Sequence, residues 1–417
     1  MSYFLGSNKK LYCSHFIFFI FFLFLLIFPK LPLSADGTSL NLAIIILFIW
    51  FGYNSLKFKS ITYNKSIFLN LFIIFSIFFL ITSLLSFKIV VLLNAFQFLV
   101  YVILFSLILN KYLHEVQLAN DFVTTASLIN FVGLIYAIGS ILSIFTGPIY
   151  PFQVGDNQRI WGQLIIQQGV GFGVNQNSVG GILVLLLIFC FFFIKTKYKY
   201  LQLLIYFLGI LSTVSRSSFM SLVIGFLIYK IILFFKKRTL SKASIKNLLI
   251  FTLIFLALFF YFKVEYNDYY EVFKIGLGLG DIDIKDSEAG RFDAWSNSFS
   301  KWHEASFFDK LFGVGYKNSS EIFEGKYISS HNLFIQYLLD SGLLGFIIFF
   351  LSIFSFIFNI LRRIFKFEYT HLHFYFLFSI TSLLIHNFTE TFLYGVDYVS
   401  FLIFLFIFFN NSSTVNN

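Results

Sequence analysis

Charge is scarce in this sequence. Only 12% of its 417 residues are Asp, Glu, Lys or Arg, about half the share in ordinary globular domains. That is too little to cover a soluble body of this size. Cysteine is nearly absent as well. Cys13 and Cys190 both lie in or beside apolar runs, which leaves no disulfide framework and no metal-ligand spacing. No HExxH, P-loop or Cys/His cluster occurs, and GLGLG (Gly276 to Gly280) lacks the strand–helix setting of a dinucleotide site. Asp281 and Asp283 form a DxD, but with Gly and Lys around them they read as a solvated turn. The sequence therefore asks for no metal and no cofactor.

What the chain holds instead is apolar mass: 58% hydrophobic residues, with 65 Phe among the 417. Apolar runs of about 18 or more residues recur, and a hydrocarbon core ~30 Å thick needs ~20 helical residues to cross it. The fold expected is all-α, a polytopic transmembrane bundle of about 12 spans. They fall near 14–33, 38–54, 66–85, 89–109, 122–146, 178–194, 199–214, 217–235, 246–262, 342–361, 371–388 and 396–410. Lys9 and Lys10 before Phe16 to Phe28 have the outline of a secretory signal, but with so many spans following this stretch reads as a retained first helix.

Between the ninth and tenth spans lies one long polar segment, Lys263 to Ser330. The chain thus divides into 1–262 (nine spans with short loops), 263–330 (a long extracytoplasmic loop) and 331–417 (three spans). The net charge of +10 could suggest nucleic acid, yet the basic residues sit in short clusters between apolar runs, as topology signals do. With the N-terminus cytoplasmic, 18 of the 30 basic residues, among them Lys9, Lys237 and Arg363, fall on the inner side. Only Lys30, Lys88, Arg159 and Arg216 fall in short outer loops. Long loops are exempt from the rule, so both termini are expected inside and the long segment outside.

The stretch from Leu201 to Phe235 is apolar except around STVSRSS (Ser212 to Ser218). As one helix it would measure ~52 Å, more than a bilayer core accepts. A turn is expected near Arg216, on the same side as the long loop. An arginine so close to hydrocarbon costs ~2.5–3.5 kcal/mol on insertion scales, so it usually has a task. Arg216, with Arg291 in the loop, suits an anion clamp, because guanidinium forks match phosphate oxygens. The alternative for both is snorkelling, or pairing with Glu288, Asp293 or Glu390. His331 can exchange a proton near neutral pH; its alternative is a structural histidine at a helix start capped by Asn332.

Taken in order, Arg159 with the downstream GVNQN (Gly173 to Asn177), SRSSF (Ser215 to Phe219), GRFDAW (Gly290 to Trp295), GVG (Gly313 to Gly315) and His331-Asn332 followed by Gly342 and Gly345 resemble the O-antigen ligase and polymerase family of bacterial membrane proteins. The resemblance covers about 159–345. One departure is Gln176, where the family's span entrance usually has proline.

The resemblance implies that Arg216, Arg291 and His331 are catalytic, gripping the diphosphate of an undecaprenyl-diphosphate-linked glycan and assisting attack on its first sugar. It also implies substrate binding by Arg159, Asn175, Asn177, Trp295 and Asn332. The activity expected is metal-independent polymerisation of O-antigen or capsule repeat units on the outer face of the inner membrane. A ligase passing the glycan to lipid A core is the close alternative. Expected partners are the lipid-linked glycan, the bilayer and a chain-length regulator, with no nucleic acid. A flippase is a distant third, since transport pathways need polar groups within several helices and usually paired halves, and neither is evident.

Overall fold

A computed structural model describes residues 2–27, 30–32, 39–57, 66–119, 121–147, 158–161, 164–167, 175–237, 289–319, 330–366, 371–391 and 396–412. Its helices are α1 (Ser2–Leu26), α2 (Leu42–Lys57), α3 (Ile67–Leu85), α4 (Ile89–Leu118), α5 (Phe122–Thr146), α6 (Gln176–Phe193), α7 (Lys199–Ser212) and α8 (Arg216–Lys237). After these come α9 (Ala289–Glu304), α10 (Phe307–Phe312), α11 (Leu333–Lys366), α12 (His371–Thr389) and α13 (Val396–Ser412). Two short antiparallel hairpins, β1 (Lys30–Pro32) with β2 (Ser39–Asn41) and β3 (Gln158–Trp161) with β4 (Leu164–Gln167), complete the described structure. Among the described residues, six helices (α3, α4, α5, α6, α8, α11) are long and apolar enough to cross a membrane. Shorter apolar stretches lie in α1, α2, α7 and α13. The chain is a polytopic helical membrane protein.

The division of labour around α3 shows why lipid is its solvent. Phe68, Phe72, Phe75 and Phe79 recur at helical spacing and are buried, whereas Ile74, Ile77, Ile81 and Leu84 on the other side are exposed. A helix apolar on every face with only one face covered belongs in hydrocarbon. Lipid tails are as apolar as leucine, so packing shape, not water exclusion, must hold such helices together. Rings supply that shape. Phe75 meets Tyr337 and Phe349 of α11 at centroid distances of 5.1 and 5.2 Å, and Phe72 meets Phe406 of α13 at 6.0 Å.

Helix α11 is broken at Gly342, where φ is 61° and ψ is −172°. The break withdraws the carbonyls of Leu339 and Asp340 from the helical ladder, and they accept instead from the amides of Val314 (3.1 Å) and Gly315 (3.0 Å). Asp340 also accepts from Lys317 N–H at 2.9 Å through its side chain. Gly313 and Gly342 cross here with no room for a Cβ on either, which only glycine permits at positive φ. The GVGY turn is tied to α3 as well, since Tyr316 N–H donates to Ser83 Oγ at 3.0 Å. The glycines of GVG and of SGLLG therefore form one latch.

Two expectations change. The tenth span, expected from 342, begins at Leu333, because Gln336, Asp340 and Ser341 are buried under the latch and extend the helix in spite of their polarity. The segment expected as a loop contains α9 and α10. Helix α10 is started by Ser306, whose Oγ accepts from Asp309 N–H at 3.0 Å. The ninth expected span at 246–262, Asp281, Asp283 and the stretches 263–288 and 320–329 lie outside the described residues. Each of the other eleven expected spans overlaps a helix, but the first (14–33) leaves its helix at Leu26 and runs into β1, and the second (38–54) is helical only from Leu42, after β2. The expected turn near Arg216 is the Thr213–Ser215 connection between α7 and α8.

Candidate functional site

The α7–α8 turn is built by hydroxyls. Val214 takes φ 52°, and Ser215 caps α8 by accepting from Ser218 N–H at 3.4 Å. Ser215 Oγ also meets Ser217 Oγ at 3.0 Å and Ser218 Oγ at 2.8 Å. Arg216, the first residue of α8, thus stands between buried serines at the helix N-terminus. Ser218 Oγ reaches across to donate to the Asn177 carbonyl at 3.4 Å. Gly180, one turn into α6, leaves no space for a Cβ beside Ser218 and Thr213, so the starts of α6 and α8 lie together.

Helix α6 is capped by Asn175, whose Oδ1 accepts from Asn177 N–H at 2.8 Å. The Asn177 amide then donates to Glu390 Oε1 at 2.6 Å. Glu390, just past the end of α12, turns its other oxygen to His331 Nδ1 at 3.8 Å, an ion-pair separation. The carboxylate is buried (7% exposed) while the imidazole is 44% exposed. The acid thus lies inside the protein and the imidazole nearer its surface.

His331 is held from both sides. Its own backbone is left-handed, φ 50°, a conformation that histidine adopts more readily than bulky apolar residues. Before it, Ser330 donates through Oγ to the Asn332 carbonyl at 2.9 Å and through N–H to Gln336 Oε1 at 3.2 Å. After it, Asn332 caps α11, accepting from Phe334 N–H (2.9 Å) and Ile335 N–H (3.2 Å). The same Asn332 donates to the Phe388 carbonyl at 2.9 Å, one of the carbonyls that the end of α12 would leave without a helical partner. Its amide is therefore occupied by the frame of the site.

Helix α9 closes this side. Trp295 packs on Ile335 and Leu339 and meets Phe388 edge to face, with centroids 5.7 Å apart at 76°. Arg291 stands one turn before Trp295 on α9, at the register position that shares its face. Arg159 is on β3, paired across its hairpin with Ile166. His371 and His373 lie at the opposite end of α12 from Glu390. Among the described residues no group of three or more His, Cys, Asp or Glu is arranged to hold a metal ion.

The starts of α6, α8 and α11 thus meet beside Glu390, and each helix N-terminus carries partial positive charge. Sequence reasoning weighed Glu390 only as a partner for an arginine. The available signal was a lone acid closing an apolar span, which is rare enough in membranes to mark a site. No individual curated protein matches the chain significantly. Residues 201–350, which carry Arg216, Arg291, Trp295, His331 and Asn332, are similar to the family model described as O-antigen ligase.

Proposed function

We propose that the chain is a lipid-linked glycosyltransferase of the bacterial inner membrane, working on its outer face with both termini in the cytoplasm. The observation that carries this reading is the meeting of three helix N-termini around Asn177, Glu390 and His331. Such termini favour phosphate groups; Arg216 opens one of these helices, α8, and Arg291 belongs to α9, which packs alongside. The donor that suits this is a glycan on undecaprenyl diphosphate. No nucleotide sugars are present outside the cytoplasm, so the energy for transfer must arrive in the lipid-linked substrate itself.

In the reaction, an acceptor hydroxyl oxygen attacks the anomeric carbon of the donor's first sugar. The new C–O bond forms as the bond to the diphosphate breaks, and the electron pair leaves with undecaprenyl diphosphate. Arg216 and Arg291 neutralise the charge that develops on the leaving group. His331 takes the hydroxyl proton, a role worth about 10²–10⁴-fold in rate. Arg159, Asn175, Asn177 and Trp295 meet the glycan, and no metal is required.

The acceptor assigned is a second lipid-linked repeat unit, which makes the protein an O-antigen or capsule polymerase, with a chain-length regulator as its partner. The second reading is a ligase with lipid A core as acceptor, favoured by the description of the matching family model. Deletion separates the two. Loss of a polymerase leaves single repeat units on the core, since ligation still operates. Loss of a ligase leaves bare core, with long glycan accumulating on undecaprenyl diphosphate. The first pattern is expected, and a His331→Ala protein should fail to restore the ladder. Bare core with a lipid-linked ladder would replace the polymerase by the ligase. Net lipid translocation without glycosyl transfer in proteoliposomes would overturn both.

A further inference from the structure

We infer that Asn177 and Glu390 form a positioning relay for His331, with Glu390 holding the imidazole and Asn177 holding Glu390. The inference rests on the reading of the site as one of glycosyl transfer. Three chain segments far apart in sequence supply the relay: the first turn of α6, the end of α12 and the residue before the α11 cap. Asn177 Nδ2 fixes one carboxylate oxygen at 2.6 Å, and that short bond leaves the other oxygen aimed at His331 Nδ1, 3.8 Å away.

A histidine ring has two nitrogens, and the partner of one determines what the other does. With Nδ1 as the protonated nitrogen facing the carboxylate, Nε2 on the far edge of the ring carries the lone pair that accepts the acceptor's proton. The imidazolium so formed lies beside a carboxylate, which stabilises it as the sugar is transferred. Atoms balance: the proton moves from the hydroxyl oxygen to Nε2, and Glu390 remains ionised throughout. The exposure difference fits these roles, because a group that only orients belongs behind the ring and a proton acceptor belongs in front. Asn177 is thereby a positioning residue, with its amide engaged on Glu390, and not only a contact for the glycan.

The test uses the full-length protein reconstituted in lipid, with histidine ¹⁵N-labelled in the imidazole ring. The His331 resonances are those lost in His331→Ala. Glu390→Gln and Asn177→Ala should each shift the Nδ1 and Nε2 resonances of His331, whereas unshifted resonances in both would overturn the relay. On a lipid-linked donor, Glu390→Gln should lower kcat about 100-fold while KM for the donor stays within about twofold. Glu390→Asp should recover part of the loss, which a merely structural role would not predict. A Glu390→Gln enzyme with wild-type kcat would also refute the relay. If the resonances shift but the wild-type protein transfers no glycan, the tie between these residues stands and the glycosyl-transfer reading falls.

Discussion

Gly342→Ala should open the latch between α11 and the GVGY turn. An alanine there inherits φ 61° and ψ −172°, a region essentially reserved for glycine, at a cost of about 1–3 kcal/mol. Its Cβ would fall on the Leu311 carbonyl and the Gly313 amide, far inside the about 3.5 Å at which carbon atoms make contact. Overpacking of this kind adds about 1–3 kcal/mol. If the turn withdraws to relieve it, the bonds from Val314 and Gly315 to the Leu339 and Asp340 carbonyls are lost, at about 1 kcal/mol each. Midpoints of the first two contributions give about 4 kcal/mol, a large share of the ~5–15 kcal/mol that holds a typical fold. Spread over an unfolding entropy of ~2.1 cal/mol/K per residue, that lowers the thermal midpoint by about 5 °C. The assay is thermal unfolding of detergent-purified protein with Gly52→Ala as the control, since a Cβ on Gly52 meets nothing within 4 Å. Equal midpoints for the two variants would show that the crossing is not tight and that the latch does not hold the break.

Asn332→Ala should destabilise the protein by about 0.5–2 kcal/mol through loss of the α11 cap, with activity falling alongside because His331 loses its fixed backbone; an unchanged melting curve counts against the cap. Trp295→Ala should free α9 from Ile335, Leu339 and Phe388 and expose 289–304 to protease, while Trp295→Phe should keep it protected; equal cleavage of both would remove Trp295 as the anchor. In intact cells, Ser287→Cys should react with an impermeant thiol reagent and Ser241→Cys should not, and labelling at 241 would invert the topology.

Much of the bundle was legible because hydrocarbon imposes one simple demand, an apolar run of sufficient length. Helix α5 begins at Phe122 and ends at Thr146, the limits its apolar run suggests. The hidden parts are those where polarity is satisfied by tertiary contact. Gln336 donates to Ser319 Oγ and Asp340 accepts from Lys317 N–H, so α11 starts nine residues before its apolar run. Helix α9 was missed because its polar residues gave no span and its short apolar pairs gave no clear period. In the site, His331, Asn332, Trp295 and Asn177 came from recognisable local patterns. Glu390 sits in none, and only the packing of α12 against α8 and α6 gives it meaning.

The Asn177–Glu390 bond also sets a schedule for biosynthesis. The two residues are 213 positions apart, and chains elongate at about 5–20 residues per second, so Asn177 emerges about 10–40 s before its partner exists. Helices α6, α8 and α11 must enter the membrane with the centre of their meeting point still unfilled. Glu390, arriving after all three, closes it, and a chain released before α12 is complete would hold most of the bundle without the carboxylate that ties Asn177 to His331.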